Sequence, residues 1–428
     1  MDHFAISGGE LHCEDVPLTT IAAEVGTPVY VYSTAAMCAR AGELRTALEG
    51  LADPLIAYAV KANPNSAVIA TLANAGLGAD IVSGGEYQRA RAARVPAEKI
   101  VFSGVGKTEG EMVEALEGGL YQFNLESTAE AELLSAVATR MGATAPVGFR
   151  INPDVAAGGH AKITTGAAQN KFGIPIGDAI DAYRQIANLP GLAIQGVAVH
   201  IGSQLTSLDP LERAFTHVGE LIAALREAGH EIRVADLGGG LGVPYNPAAP
   251  PPPTPADYGA MVRRLAGGWN ARLVFEPGRL LVGNAGVLLS RVIRVKPGAA
   301  SPFVIVDAAM NDLMRPALYD AWHQIDAVKP AGKLRAANVV GPVCETGDTF
   351  ATAREMDEVK AGDLVVFRTA GAYAAAMSST YNSRPLTPEV LVDGDRWAVV
   401  RPRIDVDRLI AIDRIPEWLA GCADTPSS

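Results

Sequence analysis

Residues 55–104 read LIAYAVKANPNSAVIATLANAGLGADIVSGGEYQRARAARVPAEKIVFSG. Short apolar runs, namely LIAYAV (55–60), GADIVS (78–83) and KIVFSG (99–104), alternate in this stretch with helix-patterned segments such as 66–75. An apolar run of this length, bounded by turn residues, predicts a buried strand. Because each strand is followed by one helix, the pattern predicts a parallel sheet.

The same alternation continues to residue 278. Further strand-like runs are YQFNLE (121–126), PVGFRI (146–151), IQGVAVHI (194–201), IRVADLG (232–238) and RLVFEPG (272–278). Helical segments are predicted between the strands at 85–93, 109–116, 128–139, 177–187, 209–228 and 257–266. Eight units over roughly 250 residues favour a closed (β/α)8 barrel, since an open doubly wound sheet more often stops at about five to seven strands.

The pattern changes after about residue 283. Apolar-polar runs joined by short turns replace the alternation, which predicts an antiparallel β domain, either a sandwich or a barrel. The early run PVYVYS (28–33) also has strand character and is expected to join this domain. We therefore predict a (β/α)8 barrel over 31–282 and a β domain built from 1–30 and 283–428.

Composition narrows the class of protein. The chain has 428 residues, with 36 Lys and Arg against 47 Asp and Glu, which gives a net charge of -11. No basic run could follow a phosphate backbone, so no nucleic-acid partner is expected. Cys13, Cys38, Cys344 and Cys422 share no CxxC spacing, so neither a metal site nor a disulfide framework is expected. No secretion signal or long apolar span is present in the sequence, which predicts a cytoplasmic protein without a membrane partner.

Polar residues follow several of the predicted strands, at the edge where such barrels carry their active sites. Lys61 ends the first run. A lysine there either extends into solvent or lies partly desolvated, where a lowered pKa makes it a nucleophile that can form a Schiff base with a carbonyl. His200 ends the sixth run and is either a hydrogen-bonded core histidine or a residue that caps a bound ring.

Two further motifs follow the last two strands. DLGGGLG (236–242) presents consecutive backbone N–H groups that suit an anion, although a tight turn explains it equally well. It is not a dinucleotide fingerprint, because Val243 stands where a third glycine is needed. EPGR (276–279) adds a carboxylate that either serves a ligand or pairs with Arg279 alone. A lysine, a phosphate cradle, a histidine and a carboxylate together outline a site for pyridoxal phosphate.

Longer motifs make the chain resemble the fold-type III pyridoxal-phosphate decarboxylases over nearly its whole length. They are YAVKANPN, GGHAKITTG, NKFGI, HIGSQ, DLGGGLG, EPGR, MRPALY, GPVCETGD and GAYAAAMSSTYNSRP. The resemblance implies that Lys61 holds the cofactor covalently, that His200 stacks on its ring and that Glu276 pairs with its pyridine nitrogen. It also implies a phosphate site formed by backbone amides around Gly239, Gly240, Gly278 and Arg279 and by the hydroxyls of Tyr373 and Ser203.

The resemblance further implies an amino-acid substrate held by Arg279, Arg315, Tyr319, Glu345 and Tyr373. Cys344 would return the proton after CO2 leaves, reaching the pocket from the partner subunit of a homodimer with shared active sites. The expected reaction is conversion of meso-2,6-diaminopimelate to L-lysine and CO2, the last step of lysine biosynthesis. Two alternatives remain open, a decarboxylase of carboxynorspermidine, ornithine or arginine, and a non-catalytic relative that only binds a partner.

Overall fold

A computed structural model of the chain describes residues 3–156 and 171–420. The motif GGHAKITTG at 158–166 and Cys422 lie outside those ranges. Among these described residues, no helix is long and apolar enough to cross a membrane. The same residues contain no cluster of three or more His, Cys, Asp or Glu side chains that could hold a metal ion.

The chain begins with a small three-stranded sheet that packs on a larger one. Its first elements are β1 (Ile6–Ser7), β2 (Glu10–Cys13), β3 (Val16–Pro17), α1 (Leu18–Glu24), β4 (Val29–Ser33) and α2 (Thr34–Ala47). Strands β1 to β3 pair only with each other, whereas β4 joins the sheet of the second domain. The predicted division at residue 31 therefore falls inside a strand of that sheet, and the exact domain boundaries stay a prediction.

The predicted (β/α)8 barrel is confirmed. Its strands are β5 (Leu55–Ala59), β6 (Gly78–Ile81), β7 (Ile100–Phe102), β8 (Gln122–Leu125), β9 (Ala145–Asn152), β11 (Leu192–Val199), β12 (Val234–Asp236) and β13 (Arg272–Phe275), with the two-residue β10 (Ile174–Pro175) added beside β9. All of these pair in parallel, and the pairing of β8 with β9 closes the sheet. Most strand residues are buried on both faces, as expected where helices cover the outside and side chains fill the inside.

The outer layer contains two helices that the sequence pattern missed, one before β5 and a short one after β13. The helices after the strands are α3 (Ser66–Asn74), α4 (Gly84–Ala92), α5 (Glu109–Gly118), α6 (Thr128–Met141), α7 (Ala179–Ile186), α8 (Asp209–Glu227), α9 (Pro255–Ala266) and the short α10 (Arg279–Val282). Helix α2, which precedes β5 in the chain, packs between α9 and α3 and so completes the ring of helices around the barrel. Ser33 caps it by accepting the N–H of Ala36.

The second domain is a nine-stranded sheet with short helices at its edges. It combines β4 with β14 (Gly286–Lys296), β15 (Phe303–Val306), β16 (Ile325–Ala327), β17 (Leu334–Val340), β18 (Thr349–Asp357), β19 (Leu364–Phe367), β20 (Glu389–Asp393) and β21 (Arg396–Arg401), and its helices are α11 (Arg315–Tyr319), α12 (Val406–Ile412) and α13 (Glu417–Ala420). The pairing is mostly antiparallel, as predicted, but β4 lies parallel to β20 and β15 lies parallel to β17. Neither pair is joined by a hairpin, so no short turn forces the strands to run in opposite directions.

Candidate active site

Polar side chains from all eight barrel strands meet at the C-terminal mouth of the barrel. In strand order they are Lys61, Asp80, Ser103, Asn124, Arg150, His200, Asp236 and Glu276. Side chains two residues apart share one face of a strand. Val101, Val234 and Val274 precede three of these residues by two positions and belong to a buried apolar cluster. The polar ring therefore stands on an apolar layer, which increases the cost of charging any group in it.

Lys61 lies in a single 3-10 turn directly after β5, with its ammonium 2.5 Å from Oδ2 of Asp80. The lysine side chain keeps 35% of its exposure, whereas the Asp80 carboxylate is fully buried. Burial acts to lower the pKa of Lys61, but the carboxylates of Asp80 and Glu276 outweigh it, so the net pKa is raised. Of the two alternatives that the sequence left open for Lys61, the one with a lowered pKa is not found, because the sequence pattern did not reveal Asp80.

Glu276 follows β13 and forms the floor of the mouth together with Asp236. Its Oε1 accepts hydrogen bonds from Ser103 and Asn124 at 3.2 and 3.4 Å, and its carboxyl group shares a hydrogen bond with Asp236. Burial, then the charges of Asp236 and Asp80, raise the pKa of Glu276 well above its ordinary value. Two adjacent buried carboxyl groups cannot both ionise cheaply, so the pair favours keeping a proton on one of them.

His200 follows β11 and is held beside the glycine-rich loop. Its Nδ1 lies 3.2 Å from the backbone nitrogen of Gly239 and accepts a hydrogen bond from that N–H. In the neutral ring the proton is therefore on Nε2. Burial, reinforced by the charges of Arg150 and Lys61, holds the pKa of His200 well below its usual value. A neutral, fixed imidazole at this position can stack on a flat ligand.

The glycine-rich loop packs its backbone so closely against neighbouring backbone that a side chain would not fit there. A Cβ on Gly239 would lie 2.2 Å from the carbonyl oxygen of Glu276, and Gly240 has a φ of +122°, which side chains rarely allow. A Cβ on Gly278 would lie 3.4 Å from the Tyr373 hydroxyl. The N–H of Gly239 is taken by His200, whereas the backbone at Gly278, beside the Tyr373 hydroxyl and Arg279, suits a phosphate. The residues therefore fit the phosphate of the expected cofactor.

Two adjoining cavities occupy this mouth and share Lys61, His200 and Glu276. One cavity is lined by nine of the predicted residues, namely Lys61, His200, Ser203, Gly239, Gly240, Glu276, Gly278, Arg279 and Tyr373. Tyr373 comes from the second domain, and its N–H bonds to the carbonyl of Ala62, so the cavity lies where the domains meet.

Arg279 and Arg315, the two arginines predicted to bind substrate, both contact Tyr245, a residue that the sequence analysis did not predict. Nη1 of Arg279 donates to the Tyr245 hydroxyl at 2.5 Å, and the Arg315 guanidinium lies 4.4 Å from the centre of the same ring. Arg315 also donates to Nε2 of His323 at 2.9 Å. Nδ1 of His323 donates to the Arg368 carbonyl, which leaves Nε2 free to accept. Tyr245 and His323 thus fix the direction of both cations.

In the single chain, Cys344 and Glu345 lie away from this cavity. Both are exposed in the loop between β17 and β18, and neither lines the two cavities. The backbone N–H of Cys344 donates to Asn382, and the Tyr381 hydroxyl donates to Glu345. Tyr319 lies one helical turn from Arg315 in α11, and neither of these two residues lines the two cavities.

His323→Gln should make the protein less sensitive to acid. Burial, then the charge of Arg315, lower the pKa of His323 to about 3 from its ordinary 6.5. Between these values the unfolded chain binds the proton and the folded chain does not, so the free energy of unfolding falls as pH decreases. Glutamine does not titrate and can still accept a hydrogen bond from Arg315. On acidification within this range, the free energy of unfolding of the variant should therefore fall by about 1 kcal/mol less per pH unit than that of the unmodified protein.

Urea unfolding of both proteins at about pH 7 and pH 5 measures this difference. Equal losses of stability on acidification would show that His323 already titrates normally. His323→Leu is the control, because it also removes the titration but leaves Arg315 without its acceptor and should weaken substrate binding.

Comparison with known proteins gives the family. The sequence profile described as pyridoxal-dependent decarboxylase, pyridoxal binding domain, matches residues 38–283. A diaminopimelate decarboxylase of Zymomonas mobilis is 54% identical over 418 residues, which cover 97% of this chain and 99% of that protein. The crystal structure of diaminopimelate decarboxylase from M. jannaschii with L-lysine superposes with a TM-score of 0.94 at 36% identity, covering 98% and 99% of the two chains. The Helicobacter pylori enzyme with L-lysine gives 0.89 at 35% identity, covering 92% and 98%.

The fold and the site together define a pyridoxal-phosphate-dependent decarboxylase built on a (β/α)8 barrel. The expected cofactor is thereby confirmed. More closely, the chain belongs to the diaminopimelate decarboxylase family.

Proposed function

We propose that this chain decarboxylates meso-2,6-diaminopimelate to L-lysine and CO2, as the last step of lysine biosynthesis. The observation that carries the proposal is the ring of polar groups at the barrel mouth, where one lysine faces buried carboxyl groups beside two arginines. Family membership supports the same reaction. A decarboxylase of a polyamine precursor is not favoured, and a non-catalytic relative would not need this ring intact.

Lys61 and Glu276 prepare the site for pyridoxal 5'-phosphate. When bound, the cofactor supplies an aldehyde that bonds to an amine and a ring that accepts the electron pair released with CO2. Lys61 would hold the cofactor through its Nζ, and Oδ2 of Asp80, which lies 2.5 Å from that atom, can accept the proton that Nζ gives up. Glu276 would hold the ring nitrogen of the cofactor through a hydrogen bond from or to its carboxyl group, and its negative charge would favour the protonated ring that accepts electrons.

Substrate selection would rest on charge at both ends of the molecule. Diaminopimelate keeps a second carboxylate after decarboxylation, and the planar guanidinium groups of Arg279 and Arg315 can each hold a carboxylate through paired N–H bonds. Glu345 would accept a hydrogen bond from the distal ammonium. Ornithine has no distal carboxylate, so it would leave one of these cations without its partner.

The active site would be completed by a second copy of the chain. Cys344, the proposed proton donor, and Glu345 are exposed and stand outside their own chain's cavity, which is the arrangement expected if they serve a partner's site. A homodimer with shared active sites, a cytoplasmic location and no nucleic-acid partner all belong to this proposal.

The function is tested by measuring CO2 release by the holoenzyme from four substrates in parallel. We expect meso-2,6-diaminopimelate to be turned over with a kcat/KM at least about 100-fold above that for carboxynorspermidine, ornithine or arginine, because each of these lacks part of the distal charge pattern. A higher kcat/KM for any of the three would replace the proposed substrate. No CO2 from any of them would favour the non-catalytic alternative.

A further inference from the structure

A short turn in the second domain holds the loop that carries Cys344 and Glu345. The hydroxyl of Tyr381 donates to Oε2 of Glu345 at 3.0 Å. Oδ1 of the next residue, Asn382, accepts the backbone N–H of Cys344 at 3.3 Å. Two adjacent residues of the turn therefore bind two adjacent residues of the loop.

The turn is fixed from both sides. Asn382 has a φ of +57° and the following residue is also left-handed, a conformation that non-glycine residues keep only when their surroundings enforce it. On one side, Ser379 exchanges two hydrogen bonds with the buried Asn311, at 2.9 and 3.0 Å. On the other side, the Arg384 guanidinium lies 3.7 Å from the buried carboxylate of Asp312. Tyr381 thus projects from a rigid support.

The backbone of the loop has its own anchor and does not depend on Tyr381. The carboxylate of Asp348 is only 3% exposed and accepts the N–H groups of Val343 and Met310 at 2.7 and 2.6 Å. Glu345 itself is exposed, and a free glutamate side chain at such a position samples several rotamers. The Tyr381 hydroxyl is the contact that restricts this side chain.

We propose that Tyr381 is a positioning residue that determines specificity, because it fixes the Glu345 carboxylate in the orientation that meets the distal ammonium of the substrate. This inference rests on the proposed function, in which Glu345 of one chain completes the site of the other. It predicts that the phenolic hydroxyl affects binding of the distal end of the substrate and leaves the chemical step alone.

The test compares Tyr381→Phe with the unmodified holoenzyme. We expect the KM for meso-2,6-diaminopimelate to rise about 5- to 20-fold with kcat unchanged within about twofold, since the variant removes one hydrogen bond to a charged group. Tyr121→Phe is the matched control, because it removes a phenolic hydroxyl from a ring that contacts Arg272 at the opposite end of the barrel strands. Its KM should equal that of the unmodified enzyme.

Glu345→Gln and the double variant separate the possible failures. In the double variant we expect no further rise in KM beyond that of Glu345→Gln, because the hydroxyl acts only through the carboxylate. If Glu345→Gln raises KM and Tyr381→Phe does not, or if the two effects add, the inference is wrong while the proposed function stands. If Glu345→Gln leaves KM unchanged, the proposed role of Glu345 fails and the inference fails with it. Circular dichroism and thermal unfolding should show all four variants folded.

Discussion

Lys61→Ala should reduce kcat for CO2 release by about 1,000-fold or more. Lys61 is the only lysine among the residues that line the two cavities, so no other described amine can take its place at the mouth. Removing the ammonium also leaves the fully buried Asp80 carboxylate without its ion-pair partner, so the variant should lose some stability as well, and the two effects have to be measured separately. Steady-state kinetics and thermal unfolding of the same preparation measure the two effects.

The chemistry of the attachment can be tested directly. Borohydride reduction of the unmodified holoenzyme should leave the cofactor on the peptide that contains Lys61, and the Lys61→Ala protein should bind the cofactor only reversibly. Lys296→Ala, which changes an exposed lysine at the end of β14, is the matched control and should behave as the unmodified enzyme. Label on any other residue, or full activity without Lys61, would remove the basis of the proposed mechanism.

The strand order of the barrel was predictable because its signal is local and repeated. Each strand is a short apolar run and each crossover helix has its own apolar periodicity, so eight weak signals support one another. Helix α2 was missed because it comes before the first strand, where the alternation offers no reason to expect a helix. Helix α2 takes its place in the ring only because the barrel closes, and the sequence of no single segment shows that closure.

The candidate site was predictable only where motifs stand out from their surroundings. Lys61, the glycine-rich loop and Glu276 lie at strand ends and interrupt apolar runs. Asp80 lies inside the apolar strand β6, and its partnership with Lys61 depends on the register of two parallel strands. A single polar residue in an apolar run does carry a signal, because burial without a partner is costly. That signal identifies Asp80 as a residue with a function but cannot say which cation it meets.

Tyr245 and His323 show the same limit at longer range. Both contact Arg315, yet Tyr245 follows the glycine-rich loop of the barrel and His323 lies in the second domain. Their meeting depends on how the two domains pack, which neither periodicity nor spacing reports. The resemblance could therefore propose which cations bind substrate, but no sequence signal showed what orients them.

Mixing Lys61→Ala with Cys344→Ala should restore activity that neither variant has alone. In a dimer containing one chain of each kind, one active site combines the intact Lys61 of the Cys344→Ala chain with the intact Cys344 of the Lys61→Ala chain. Random exchange makes half of the dimers mixed, each with one complete site of two, so recovery should approach about a quarter of the unmodified activity. Co-expression with two affinity tags, followed by sequential purification, isolates the mixed dimers for assay.

The matched control pairs Lys61→Ala with His200→Ala. Both residues belong to the same barrel mouth, so every site in a mixed dimer keeps one defect from its own chain and activity should stay at the level of the parents. Recovery in the first pair and its absence in the second can be explained only if Cys344 acts across the subunit boundary. Purified mixed dimers of the first pair that remain inactive would show that Cys344 does not serve the neighbouring site, and its exposure in the single chain would then need another explanation.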